Sequence, residues 1–154
     1  MGDEVIIDRV QGYVEDINIL YTDVNNWRGE VFTMPNGRVS NNMVRNNSAD
    51  QYRRIQIELH FNQDEDIDEL RELITSTMKK HPETISDKPY QFWVNSFEEY
   101  SIKSSARCWC KTDIYWEVYW AQEEAIKKAL TEKGIQLAIP KQAVHQPDLA
   151  KEAE

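Results

Sequence analysis

Between Arg53 and Lys80 the hydrophobic period of this chain switches from two to about 3.6, and that switch constrains the fold more than any other feature. Ile55, Ile57, Leu59 and Phe61 alternate with Arg54, Gln56, Glu58 and His60, which predicts a strand buried on one face. Asp66, with Glu69 three residues on, then has the spacing of a helix start, and Ile67, Leu70, Ile74 and Met78 fall on one helical face. His81-Pro82 ends that helix. Tyr90 to Phe97 and Ser101 to Lys111 read as two strands joined at Glu98-Glu99, the second carrying Ile102, Ser104, Ala106, Cys108 and Cys110 on one face. Asp113 is placed to cap a second helix with Val118, Ala125 and Ala129 on its apolar face, flanked by Tyr119, Ile126 and Leu130. Glu123-Lys127 and Glu124-Lys128 have helical ion-pair spacing, and Gly134 stands where the helix would end. A last extended segment, Ile135 to His145, completes the order β-α-β-β-α-β, the ferredoxin-like arrangement.

The first fifty residues lack helical periodicity. They read as short strands over Asp3 to Asp8, Gly12 to Val24 and Glu30 to Met34, which suggests a small, strongly bent sheet or barrel. Pro35-Asn36-Gly37 predicts a turn, because Pro fixes φ and removes a donor while Asn-Gly readily adopts positive φ. An Asn-rich stretch from Asn41 to Ser48 follows, and its end, Asn46 to Ser48, reads as a polar turn. Asn46-Asn47-Ser48 fits a glycosylation sequon, but nothing at the N-terminus resembles a secretory signal. The fold class is therefore α+β. The expected division is a small β domain at 1–50, the ferredoxin-like domain at 51–136, a terminal strand at 137–145 and a disordered tail at 146–154.

Charge and motif spacing exclude several function classes. The 18 basic and 27 acidic side chains leave a net charge of -9, which repels nucleic acid and anionic lipid surfaces, and the basic residues do not cluster. Aromatic residues on a β-α-β-β-α-β sheet raise the possibility of RNA recognition. Ser101 to Lys111, however, lacks the basic-Gly-aromatic pattern that such domains carry. Phe92, Trp93, Phe97, Trp109, Trp116, Tyr119 and Trp120 read instead as core and subunit-interface material.

Taken as a calcium loop, Asp64 to Thr75 has Glu69 where Gly is needed and Thr75 where Glu is needed. The acidic residues there suit the positive end of a helix. His60, His81 and His145 lie in separate elements without a nucleophile or ligand signature. Cys108 and Cys110 read as small core residues, not as a disulfide or a zinc pair. No catalytic, cofactor-binding or metal site is expected, and no stretch approaches the roughly 20 apolar residues that cross a bilayer.

Gly2-Asp3-Glu4-Val5, Phe32-Thr33-Met34-Pro35-Asn36-Gly37, Asn46-Asn47-Ser48 and Arg53-Arg54-Ile55 resemble, in this order, the small-conductance mechanosensitive channel (MscS-like) family. Arg107-Cys108-Trp109, Tyr119-Trp120, Lys133-Gly134-Ile135 and Ile139-Pro140 continue the likeness, which runs from about Gly2 to His145. The signature turn is Pro35, Asn36 and Gly37, and Asn46 and Arg54 mark the segment that follows. The resemblance implies an Sm-like β domain, a ferredoxin-like domain and a homo-oligomer, a heptamer, that forms a hollow cytoplasmic cage. Membrane helices would precede Gly2, and tension would open the pore to ions and small osmolytes in osmotic downshock. Family members often end this region with an aromatic residue and Pro-Gln, where Ala138-Ile139-Pro140-Lys141-Gln142 stands here. The final-strand role in ring assembly falls on Leu137, Ile139, Pro140, Ala143 and Val144. A soluble ligand-binding or regulatory module on the same fold is the alternative. An acylphosphatase-type hydrolase ranks last, because no loop offers a basic phosphate cradle.

Overall fold

The computed structural model describes residues 1–138. Two antiparallel sheets and few helices make up the α+β architecture.

The first sheet contains β1 (Glu4–Ile7), β2 (Val10–Ile17), β3 (Tyr21–Asn25), β4 (Val31–Pro35) and β5 (Val44–Asn46), in the order β4-β3-β2-β1-β5. The stretch from Gly12 to Val24, expected as one run, is broken into β2 and β3. Asn18 Oδ1 accepts from the Leu20 and Tyr21 backbone N–H groups, so the side chain closes a turn. Ile19 and Leu20 lie inside that turn and are exposed, which makes it look like strand in the sequence. A bulge between Val14 and Asp16 bends the sheet. Val5, Ile7, Val14, Val24 and Met34 form its small core.

Gly12 meets β3 so closely that a Cβ there would lie 2.4 Å from the Asn25 carbonyl oxygen. Backbone cannot move aside as the end of a side chain can. Gly12→Ala is therefore expected to cost about 1–3 kcal/mol, read as a lower urea midpoint. Gly37→Ala is the control, because its Cβ would meet nothing within 4 Å and its φ is not positive.

The expected turn at Pro35-Asn36-Gly37 is a short helix, α1 (Asn36–Asn41), entered directly from the last residue of β4. Positive φ occurs at Gly2, Gly29 and Gly134 among the glycines, not at Gly37. Part of the Asn-rich stretch is the strand β5, which takes in Asn46 and pairs antiparallel with β1, Val5 opposite Asn46.

The second sheet has the order β6-β8-β7, from β6 (Tyr52–Phe61), β7 (Gln91–Phe97) and β8 (Ile102–Lys111). β6 and β8 stay in register from Tyr52 opposite Lys111 to Phe61 opposite Ile102. Ile55, Ile57, Leu59 and Phe61 are buried, as their alternation predicts. Leu137 bridges to Phe61 on the free edge of β6, and Ala138 N donates to His60 O at 2.8 Å. The chain thus occupies the fourth position of a ferredoxin-like sheet.

α2 (Ile67–Lys79) and α3 (Tyr115–Glu132) cover one face of this sheet. Asp66 caps α2, its side chain accepting from the Asp68 and Glu69 N–H groups. Asp113 does not cap α3. It sits in a 3-10 turn, Thr112–Ile114, and no side chain caps the helix. The buried face of α3 is Val118, Gln122, Ile126 and Leu130, whereas Ala125 and Ala129 are half-buried. Gln122 is fully buried, and its Nε2 donates to Met78 O at 3.1 Å. Glu124 and Lys128 close at 2.5 Å on the outside of the helix. Gly134, at φ 71°, ends α3, with Ile135 N donating to Leu130 O.

Candidate functional site

The two sheets meet at a buried carboxylate. Glu4, at the start of β1, has a side chain only 4% exposed, a position a lone anion could not occupy without partners. Four side chains supply them. Oε1 accepts from Gln11 Nε2 at 2.9 Å and from Asn47 Nδ2 at 2.9 Å, both within the first sheet and its following loop. Oε2 accepts from Arg53 Nη1 at 2.8 Å and from Trp116 Nε1 at 3.2 Å, which reach it from β6 and α3. One carboxylate therefore ties β1, β2 and the Asn47 loop to both layers of the second unit.

Arg53 is oriented on its other side by aromatic rings. Its guanidinium lies 3.6 Å from the Tyr115 ring centroid and 5.7 Å from that of Trp116. Burial alone would raise the Glu4 carboxyl's pKa. The bonds from Asn47, Gln11 and Arg53, together with the guanidinium charge, outweigh that and hold it below the ordinary carboxylate range. Burial pushes the Tyr115 hydroxyl up, partly offset by Arg53.

Beside this hub lies a cleft of about 910 Å³ between the two units, walled by Tyr13, Trp27, Trp116 and Trp120. Tyr13 stacks on Trp27 at 5.2 Å, Trp27 meets Trp116 edge-on at 6.2 Å, and Trp116 lies 5.8 Å from Trp120. The aromatic residues of α3 thus divide between two tasks. Tyr115 and Trp116 hold the arginine and carboxylate, and Trp120 faces outward.

The signature residues take separate structural parts. Asn36 pins the β2–β3 turn: its Nδ2 donates to Asn18 O and Ile19 O, and its Oδ1 accepts from Thr22 Oγ1 at 2.7 Å. Pro35 ends β4, and Gly37 lies in open space in α1. Asn46 Nδ2 donates to Asp3 Oδ2, which ties β5 to the start of the chain. Arg54 is exposed and opposite Trp109, so of the two adjacent arginines it is Arg53 that enters the hub. Leu137 packs half-buried against the core of the second sheet, and Ile139, Pro140, Ala143 and Val144 lie outside the described residues.

Arg53 could have been found in the sequence. It is in phase with Ile55, Ile57 and Leu59, and an arginine on a buried face needs an acidic partner. Nothing in the spacing identifies that partner as Glu4, 49 residues earlier.

Among the described residues no group of three or more His, Cys, Asp or Glu is placed to hold a metal ion. His60 faces Glu98 at 3.4 Å, and His81 Nδ1 accepts from Glu83 N. Cys108 and Cys110 are free and buried, and burial pushes their thiols up to about 12 and about 11. At neutral pH neither is a thiolate. A water-soluble disulfide reagent is expected to label neither in the folded chain and both after unfolding in urea. Rapid labelling of the native chain would show that β8 opens far more readily than its burial implies.

No helix among the described residues is long and apolar enough to cross a membrane. Residues 1–49 match the family model for the mechanosensitive ion channel beta-domain, and residues 54–137 that for the C-terminal part of the mechanosensitive ion channel MscS. An uncharacterized MscS family protein of Archaeoglobus fulgidus is 27% identical over 144 residues, 94% of this chain and 51% of its own length. The small-conductance mechanosensitive channel of Edwardsiella ictaluri is 26% identical over 144 residues, again 94% of this chain and 50% of its own length. This chain therefore spans about half the length of the curated relatives it matches.

In fold, it is similar to Helicobacter pylori MscS in the closed state, with a TM-score of 0.84 at 23% identity over 96% of this chain and 58% of that one. Arabidopsis thaliana MSL1 matches at a TM-score of 0.70 and 19% identity, over 90% of this chain and 52% of that one. With both models matched in order, and the second covering more than half of it, the chain belongs to the MscS family of mechanosensitive ion channels, a family of channels and not of enzymes.

Proposed function

We propose that this chain is the cytoplasmic vestibule of a channel that opens under membrane tension and releases ions and small osmolytes in osmotic downshock. The observation that carries the reading is the ordered match of both family segments over nearly the whole described chain. Membrane helices would lie in the half of the protein that the relatives possess and this chain does not span.

Assembly into a ring of identical copies, a heptamer, follows from the same reading. Two features of the first sheet support it. Its edge strands β4 and β5 each have one side without a strand partner among the described residues, and open edges favour pairing with another copy. Large apolar side chains also stand exposed there, Ile19 at 94% and Leu20 at 66% among them, with Val31 and Phe32 on β4. Leu137, Ile139, Pro140, Ala143 and Val144 would contribute a closing contact on the symmetry axis.

Native mass spectrometry of the chain, at 18.2 kDa per copy, is expected to give about seven times that mass. The function itself is tested by osmotic downshock of a bacterial strain stripped of its own mechanosensitive channels. Expression of the full protein that contains this segment is expected to restore survival. Survival no better than with an empty vector would refute the reading.

A further inference from the structure

We propose that the cleft between the two units binds an organic cation of the quaternary ammonium class, held over the exposed indole faces of Trp27 and Trp120. Three observations converge on this chemistry.

The first is the wall. Trp27 is 50% exposed and Trp120 58% exposed, although both lie in a concave site with aromatic neighbours at 5–6 Å. Tyr13 covers one side of Trp27, so the remaining exposed surface of that ring opens onto the cleft. Indoles are the best rings for a cation, because their faces carry the largest negative quadrupole.

The second is charge. Asp50, Asp113 and Glu117 line the cleft against a single ammonium, Lys111. The carboxylate of Glu4 also lines it but is already neutralised by Arg53. The start of α3 adds a partial positive charge at Tyr115, which Asp113 and Glu117 flank and offset. The cleft therefore keeps an excess of negative charge, within a chain whose net charge is -9.

The third is an internal parallel. One step deeper, the same cluster already holds a cation by the same means. The Arg53 guanidinium lies over Tyr115 and near Trp116, with Glu4 as its counter-ion. The outer cleft repeats this arrangement of ring and carboxylate with no side-chain cation of its own over Trp27 or Trp120 among the described residues. A methylated ammonium suits it better than a metal ion. Its charge is spread over methyl groups that lose little on leaving water and pack well against indole.

The test uses the full 154-residue chain and its tryptophan emission, three of the five tryptophans being in the cleft. Choline chloride is titrated at constant ionic strength, with 3,3-dimethyl-1-butanol as the neutral isostere. The expected result is a saturable change in emission with choline and none with the alcohol. Binding should weaken at least tenfold in Trp27→Ala and severalfold in Glu117→Gln. Both positions are exposed, and unaltered circular dichroism and urea midpoint would show that each variant is folded. Heat of binding by calorimetry gives the same comparison without relying on fluorescence. No saturable response to choline, an equal response to the alcohol, or undiminished binding in both folded variants would overturn the proposal.

Discussion

Replacing Glu4 with Gln is expected to destabilise the chain by about 2–4 kcal/mol, and to do so by uncoupling its two halves. Breaking a buried ion pair from one side costs roughly 3–5 kcal/mol, because the partner charge is left without compensation. The lower figure here reflects Arg53, which at 20% exposed can recover some hydration. The loss is larger than that of one hydrogen bond, since Gln presents an amide N–H where the carboxylate accepts from four donors. Urea unfolding of the parent chain, followed by tryptophan emission and by circular dichroism, should give one coincident transition. In Glu4→Gln the two probes should separate, because the only buried charge pair that crosses between the units among the described residues is gone. Arg53→Met in the same background should restore part of the loss by removing the stranded guanidinium.

The same carboxylate gives the chain a pH signature. Its folded pKa lies below its ordinary value of 4.5, so the folded state binds the proton less readily than the unfolded one. The stabilisation is complete above that ordinary value and is lost as pH falls through the lower folded value. Glu4→Gln should flatten this part of the acid limb of the stability curve. An unchanged acid limb would mean that other carboxylates govern acid unfolding.

Phe61→Ala is expected to cost about 3–5 kcal/mol, the usual range for removing a fully buried aromatic ring. Phe61 is 0% exposed, packs edge-on against Phe92 at 6.2 Å and lies in register with Ile102. It also carries the bridge to Leu137, so the cavity would open beside the contact that holds the end of the described chain to β6. Phe97→Ala is the matching control. That ring is 72% exposed, and its loss should change stability by no more than about 0.5 kcal/mol. Comparable losses from the two substitutions would contradict the assignment of the core.

The second unit was legible because each of its elements carries a strong period. β6 alternates with Ile55, Ile57, Leu59 and Phe61 inward and only Arg53 breaking the apolar face, and α2 combines a cap at Asp66 with four apolar residues on one face. The first unit was harder to read. Ile19 and Leu20 fill a turn with residues that belong in strands, and only the hydrogen bonds of Asn18 and Asn36 show why the chain reverses there. β5 is short and Asn-rich, so its pairing with β1 left no pattern to find. α3 departed from expectation at its start because a 3-10 turn occupies Asp113, and on its buried face because Gln122 interrupts the apolar stripe.

The hub was half legible. The phase of Arg53 marks it as buried, but its partners Glu4 and Trp116 lie 49 residues before it and 63 after it, and local patterns do not reach so far. The aromatic residues of α3, which the sequence assigns to core or interface, take up neither role uniformly. Trp116 spans the junction between the units, and Trp120 stands at the mouth of the cleft.

Patch clamp decides whether this chain shapes the conduction path of a tension-gated channel, as we propose. The full protein that contains this segment would be placed in membranes lacking other mechanosensitive channels, and current recorded as suction is raised. Discrete openings are expected, with a frequency that rises with suction. A version carrying Glu4→Gln is expected to open over an altered suction range, because the carboxylate that links the two units is gone. Membranes that contain the protein and stay silent up to the tension at which they rupture would contradict the proposal.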